Sequence, residues 1–220
     1  DAVDLADRAQ IAARYLPLVP EHHHSWRSAD RRTRVDAWSA MDEAARGGYF
    51  AEQAGAALVY NGWLQEDDDW PLASSVAQNL LNAAGKTDLR AALDQRCGEF
   101  AVLHARADGG LRAATDFLGA QHLYYGQRGG LLAISNRAFL VAAALDGVGL
   151  PAIEAMHLSW LMSGLRAMFA GETLFADVQI LGGGHTLTAD DRGLRLTGPT
   201  ADGELTTSAD WDVHFAELCQ

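Results

Sequence analysis

The apolar positions of the chain change period several times, and each change marks an element. Leu5, Ala9, Ala12, Ala13 and Leu16 recur at helical spacing, and Pro17 and Pro20 stop that helix. Residues 21–34 are polar and mixed in sign, carry His22, His23 and His24 at their start, and read as loop. Residues 34–38 and 56–60 read as strands. The second is a short apolar run of the buried kind, closed by Asn61-Gly62, a turn pair that tolerates positive φ. Asp67, Asp68 and Asp69 mark an exposed loop. Over residues 74–84 the period is helical again: Val76, Leu80, Leu81 and Ala84 share one face and Gly85 follows as terminator. Asp88 is placed to cap a short second helix through Leu93.

From Gly98 onward short strands alternate with glycine turns. Residues 99–105, 111–114, 122–126 and 131–135 are separated at Asp108-Gly109-Gly110 and Arg128-Gly129-Gly130, the pattern of a β-meander. Ile153, Met156, His157, Trp160 and Leu161 restore helical periodicity. A last hairpin is predicted over residues 185–189 and 194–197, around Asp190-Asp191-Arg192-Gly193. Beyond Gly198 the chain turns polar and reads as linker, ending in a stretch from Trp211 to Cys219 that can start a further helix. Strands in at least two groups, with helices between and after them rather than in strict alternation, predict an α+β fold with antiparallel sheets.

Composition narrows the possible partners. The 220 residues, about half of them apolar, suffice for one substantial core. A formal charge of -12 repels phosphate backbones and anionic headgroups alike, which argues against nucleic acid and membrane surface. No apolar run approaches the roughly 20 residues of a spanning helix, and the amino end at Asp1 and Ala2 has neither a basic region nor a hydrophobic signal core. The expectation is a soluble cytoplasmic protein. Cys97 and Cys219 lie in different predicted elements and build neither a disulfide framework nor a zinc site. Three other features read as bland. His22, His23 and His24 alternate in direction and lack a partner at metal-site spacing, His157 sits on an apolar helix face, and Asp67 to Asp69 lack the spacing of a calcium loop. Of the six tryptophans, Trp63, Trp70 and Trp160 are expected in the core, with some of the six free to form a patch for a partner domain.

Four motifs, in order, carry a family resemblance over residues 60–196, roughly two thirds of the chain. Val59-Tyr60-Asn61-Gly62 precedes the helix that opens at Ser74-Ser75. Gly98-Glu99-Phe100-Ala101-Val102 opens a strand. Asp116-Phe117-Leu118-Gly119-Ala120-Gln121-His122-Leu123-Tyr124-Tyr125 follows, and then Leu132-Ala133-Ile134-Ser135-Asn136 with Thr173-Leu174-Phe175, Val178, Leu181 and Gly184-His185. Together they resemble the glutaminase domain of asparagine synthetase and its relatives, the β-lactam and carbapenam synthetases and the lasso-peptide cyclases. His122 stands where that family usually has Pro. The resemblance implies a four-layer αββα sandwich of two antiparallel sheets, the Ntn-hydrolase type. It assigns residues 1–197 to the glutaminase-like domain and 198–220 to a linker toward an ATP-pyrophosphatase-type synthetase domain absent from this chain.

Glutamine hydrolysis in that class needs an amino-terminal Cys nucleophile, a guanidinium fork for the α-carboxylate, an Asn-Gly pair for the oxyanion and a carboxylate for the ammonium. No Cys stands near position 1, although the sequence opens at Asp1 rather than at Met and the first strand can lie upstream. Ala37-Trp38-Ser39-Ala40-Met41-Asp42 resembles the family's Arg-Leu-Ser-Ile-Val-Asp, which puts Ala37 where the Arg belongs unless Arg34 shifts into that role. Ser75 stands where the ammonium-binding Asp is expected. Only Asn61 and Gly62 match, and a need for positive φ explains that pair without chemistry.

The resemblance thus implies a vestigial pocket of Asn61, Gly62, Ala37 and Ser75, structural motif residues Gly98, Asp116, Leu118 and Gly119, no catalytic residue and no metal site. The chain is then a non-hydrolysing scaffold of an ATP-dependent amide-forming enzyme, with ATP and Mg belonging to the missing C-terminal synthetase domain or subunit. An active glutaminase whose Cys precedes Asp1, and a free-standing binding module using the pocket, are the alternatives. Oligomeric state stays open, a homo-oligomer included, as does the substrate. Gly182-Gly183-Gly184, with no following helix or Lys, is a turn and not a phosphate loop.

Overall fold

A computed structural model describes residues 4–16, 20–40, 48–64, 76–94, 96–151 and 173–199. The chain runs α1 (Leu5–Ala13), β1 (His22–Arg27), β2 (Arg34–Ser39), β3 (Phe50–Gln53), β4 (Ala56–Leu64), α2 (Val76–Lys86), α3 (Leu89–Leu93), β5 (Gly98–Ala105), β6 (Leu111–Thr115), β7 (Leu123–Arg128), β8 (Leu131–Ser135), α4 (Ala138–Asp146), β9 (Gln179–Leu181), β10 (Thr186–Asp190) and β11 (Gly193–Thr197). The strands form an α+β arrangement of antiparallel sheets. Six strands lie in the order β11-β10-β6-β5-β4-β3, three in the order β8-β7-β9, and β1 and β2 form a separate hairpin.

The two faces of the six-stranded sheet follow from the period of two along its strands. Leu58 and Tyr60 of β4, Phe100 and Val102 of β5 and Ala114 of β6 point to one side. There they pack against Val76, Ala77, Leu80, Leu81 and Ala84 of α2 and Leu89 and Leu93 of α3. The alternate positions point to the other side, in two groups. Ala101, Ala113 and Leu187 meet Leu123, Tyr125 and Leu181 of the three-stranded sheet, and Ala57 and Ala105 meet Trp26 and Val35 of the β1–β2 hairpin. On its far side the three-stranded sheet gives Tyr124, Leu131 and Ala133 to Val141, Ala142 and Leu145 of α4, together with Phe175 and Val178. Each fully buried Leu, Ile, Val or Phe contributes about 1.5 to 3 kcal/mol. Arg8 of α1 donates to the carbonyls of Ala144 (3.3 Å) and Leu145 (3.4 Å) at the end of α4 and so ties the two helices together.

Several expectations are corrected. The predicted loop over residues 21–34 contains β1. Its outward residues His23, Ser25 and Arg27 are polar, which hides the alternation with His22, His24 and the buried Trp26. Asn61-Gly62 is no turn: β4 continues to Leu64, paired with β5. Gly85 does not end α2, which runs on to Lys86, and an added Cβ there would meet nothing within 4 Å. The meander breaks after β6, which pairs with β10, while β7 joins the other sheet. β3 and α4 are elements that the sequence pattern does not predict. The α4 sequence AFLVAAALD is apolar almost all round and so shows no helical stripe, and it ends where Gly147 takes φ 78°. Trp63 is 42% exposed rather than core, while Trp26 is buried. Trp70, Trp160, His157, Asp67 to Asp69, Cys219 and Trp211 lie outside the described residues.

Other expectations match the structure. Asp88 accepts a hydrogen bond from Arg90 N (2.9 Å) and caps α3, and the last hairpin forms as β10–β11. Among the described residues no helix is long and apolar enough to cross a membrane.

Candidate functional site

Where the chain leaves β6 for the second sheet it makes a loop organised by one buried carboxylate. Asp116 Oδ1 accepts the backbone N–H groups of Leu118 (3.0 Å) and Ala120 (3.1 Å), and Oδ2 accepts those of Phe100 (3.2 Å) and Gln121 (3.2 Å). Four donors on one carboxylate fix the loop and also stitch it to the start of β5, with each such bond to a charged group worth about 1.5 to 3 kcal/mol. The Asp116 carbonyl accepts from Gly119 N (3.0 Å) and Gly184 N (2.7 Å). Gly119 takes φ 67° and lies so close to Gly183 that an added Cβ would stand 3.1 Å from the Gly183 Cα. Thr115 Oγ1 donates to Gly182 O at 2.7 Å, and Arg90 Nη1 to Gly184 O at 3.2 Å. His122 closes the turn through Nδ1 and the Gly119 carbonyl at 2.8 Å.

The loop reaches the candidate pocket through Gln121. Its Oε1 accepts from Asn61 Nδ2 at 2.7 Å, so Asn61, Gln121 and Asp116 form one connected network. Gly62 beside them has φ 110°, and a Cβ there would overlap the Glu99 carbonyl and stand 2.9 Å from Gln121 Cγ. Only glycine fits that backbone. Gly98 opens β5 opposite Leu64. Of the sequence-predicted residues, Asn61, Gly62, Gly98, Asp116, Leu118 and Gly119 thus share one region around β4, β5 and the crossing loop.

Ala37 is buried on β2 and paired in register with His24, and Ser75 is outside the described residues. Arg34 is the other candidate on β2. It lies on the opposite face of β2 from Val35 and Ala37, where its Nε and Nη2 grip Asp36 at 2.6 and 2.7 Å. Asp36 also meets His23 Nε2 at 2.9 Å, and the His23 ring stacks on Trp38 at 5.2 Å. Burial works to raise the Asp36 carboxyl, but its bonds from Arg34 and then His23 outweigh it and hold the group below the usual carboxylate range. The same pair raises Arg34. Among the described residues no group of three or more His, Cys, Asp or Glu is placed to hold a metal ion.

Gln121, Arg90 and Thr115 escaped sequence reasoning. Gln121 carried a signal, since it lies inside the Asp116 motif, but nothing local tells that its amide reaches back 60 residues to Asn61.

No known protein-family model matches the chain, and no curated protein matches it. Among solved structures it is similar to a glutamine phosphoribosylpyrophosphate amidotransferase from B. subtilis complexed with ADP and GMP, at 17% identity and TM-score 0.42, covering 67% of this chain and 30% of that one. It is also similar to an enzyme described as the allosteric regulatory enzyme of purine biosynthesis, at 15% identity and TM-score 0.45, covering 75% of this chain and 34% of that one. The chain spans about a third of the length of these structures. The resemblance to the asparagine synthetase family rests on the sequence motifs alone.

Proposed function

We propose that this chain is a glutaminase-like domain of the Ntn type, and that it serves as a non-hydrolysing scaffold for an ATP-dependent amide-forming domain or subunit. The observation that carries the reading is Ala37. A buried methyl stands where the resemblance expects the guanidinium that grips the glutamine α-carboxylate, and the neighbouring Arg34 is turned to the other face of the hairpin and held by Asp36. Losing a two-pronged fork removes about 3 to 6 kcal/mol of substrate binding, at roughly 1.5 to 3 kcal/mol per charge-assisted bond. Asn61, the remaining oxyanion candidate, has its amide engaged by Gln121. The αββα reading is supported by the order of the apolar clusters, from α2 and α3 through the six-stranded sheet and the three-stranded sheet to α4.

In this reading residues 198–220 lead toward the synthetase domain. ATP and Mg act there and no residue of this chain is assigned to them. The test is glutamate release by the full-length protein given glutamine. The expected rate equals that of a Cys-free variant, and turnover above it would establish the active-glutaminase alternative instead. Mass spectrometry of products formed with ATP would then name the amine and the carboxylate that are joined.

A further inference from the structure

Phe117 and Leu118 stand at the tip of the Asp116 loop, 72% and 81% exposed. The backbone beneath them is fixed by Asp116 and by the contact of Gly119 with Gly183, so the fold holds two consecutive apolar side chains out in water on a rigid base. The described chain ends at the same spot. A Cβ added at Gly184 would lie 3.3 Å from Pro199 Cβ and 3.7 Å from Phe117 Cδ2. Eleven residues of mainly polar character, 200–210, follow, and then Trp211, Phe215 and Leu218 recur at steps of four and three.

We propose that Phe117 and Leu118 are the docking surface for this chain's own residues 211–218, through Trp211, Phe215 and Leu218. Eleven residues span up to about 36 to 40 Å, ample for a return to a patch beside their starting point. A tether that short supplies an effective concentration on the order of millimolar, an advantage that no free partner shares. The occupant therefore needs only modest contact area, such as an indole and a phenyl ring laid on two exposed side chains.

The experiment observes the tryptophan indole N–H resonances of the 220-residue chain, with Trp211 identified by the signal that Trp211→Phe removes. Substituting Phe117→Ser together with Leu118→Ser is expected to move that one signal to the position of a solvent-exposed indole and to leave the other five in place. Reciprocally, Trp211→Ser is expected to remove a ring-current shift from the Leu118 methyl resonances. Either of two results overturns the proposal: a Trp211 signal already at the exposed position and indifferent to the double substitution, or a dimer by sedimentation that the double substitution dissociates, which makes a second copy the occupant. Because both substituted side chains are exposed, the remaining indole signals report directly whether the fold persists.

Discussion

On one face of the six-stranded sheet Leu58, Val102 and Phe100 meet the leucines of two helices, whereas on the other Ala57, Ala101, Ala105 and Ala113 meet another sheet and a hairpin. Large side chains fill the wide gap between sheet and helix. Small ones let two pleated surfaces close on each other. The helix side is therefore ordinary packing of large side chains, and the alanine side faces the layer to which the Asp116 loop crosses. Sensitivity should differ accordingly, the first face to removal of atoms and the second to their addition.

The largest effect is expected at the crossing itself. Asp116→Ala strips four backbone N–H groups of their acceptor and should cost about 3 to 5 kcal/mol, read from chemical denaturation. If the loss were under 1 kcal/mol, the loop would not be the joint between the sheets. Next comes the helix face: Leu80→Ala, at a fully buried site, should lower stability by about 3 kcal/mol through a cavity. Ala113→Leu probes the opposite face and should cost about 1 to 3 kcal/mol by overpacking, although it adds apolar surface. A gain in stability there would show that the sheets are not closely apposed.

The smallest effect is one of pH. His104 is buried, with Nδ1 lacking a partner among the described residues, and burial first, then Arg112 and Arg106, lower its pKa against weaker opposing pulls from Asp108 and Asp88. The unfolded chain then takes up a proton near pH 6.5 that the folded chain refuses. Stability is complete above that value and falls as pH drops through it, by at most about 1.4 kcal/mol per pH unit for one proton. His104→Gln should flatten that part of a stability-against-pH curve.

Periodicity alone locates α2 through Val76, Leu80 and Leu81, the β5–β6, β7–β8 and β10–β11 hairpins through their glycine turns, and α3 through Asp88, because each is decided by neighbours in sequence. What it misses is decided at long range. β1 carries a polar outer face, α4 is apolar on nearly every side, and Gly62 reads as a turn residue although its φ serves a strand pressed against the Glu99 carbonyl. The motif around Asp116 is legible as a pattern, but the partnership of Gln121 with Asn61 belongs to tertiary structure and no local spacing encodes it.

Arg8 sits over Gly147, where any side chain would collide with the guanidinium, and holds the last carbonyls of a helix more than 130 residues downstream. A protease nick within α1 therefore does more than cut one helix. It takes a cation from the tail of α4, lets that helix fray from its distal turn, and loosens the roof over the three-stranded sheet, so the integrity of α1 is a cheap gauge of whether the layer it packs against is intact.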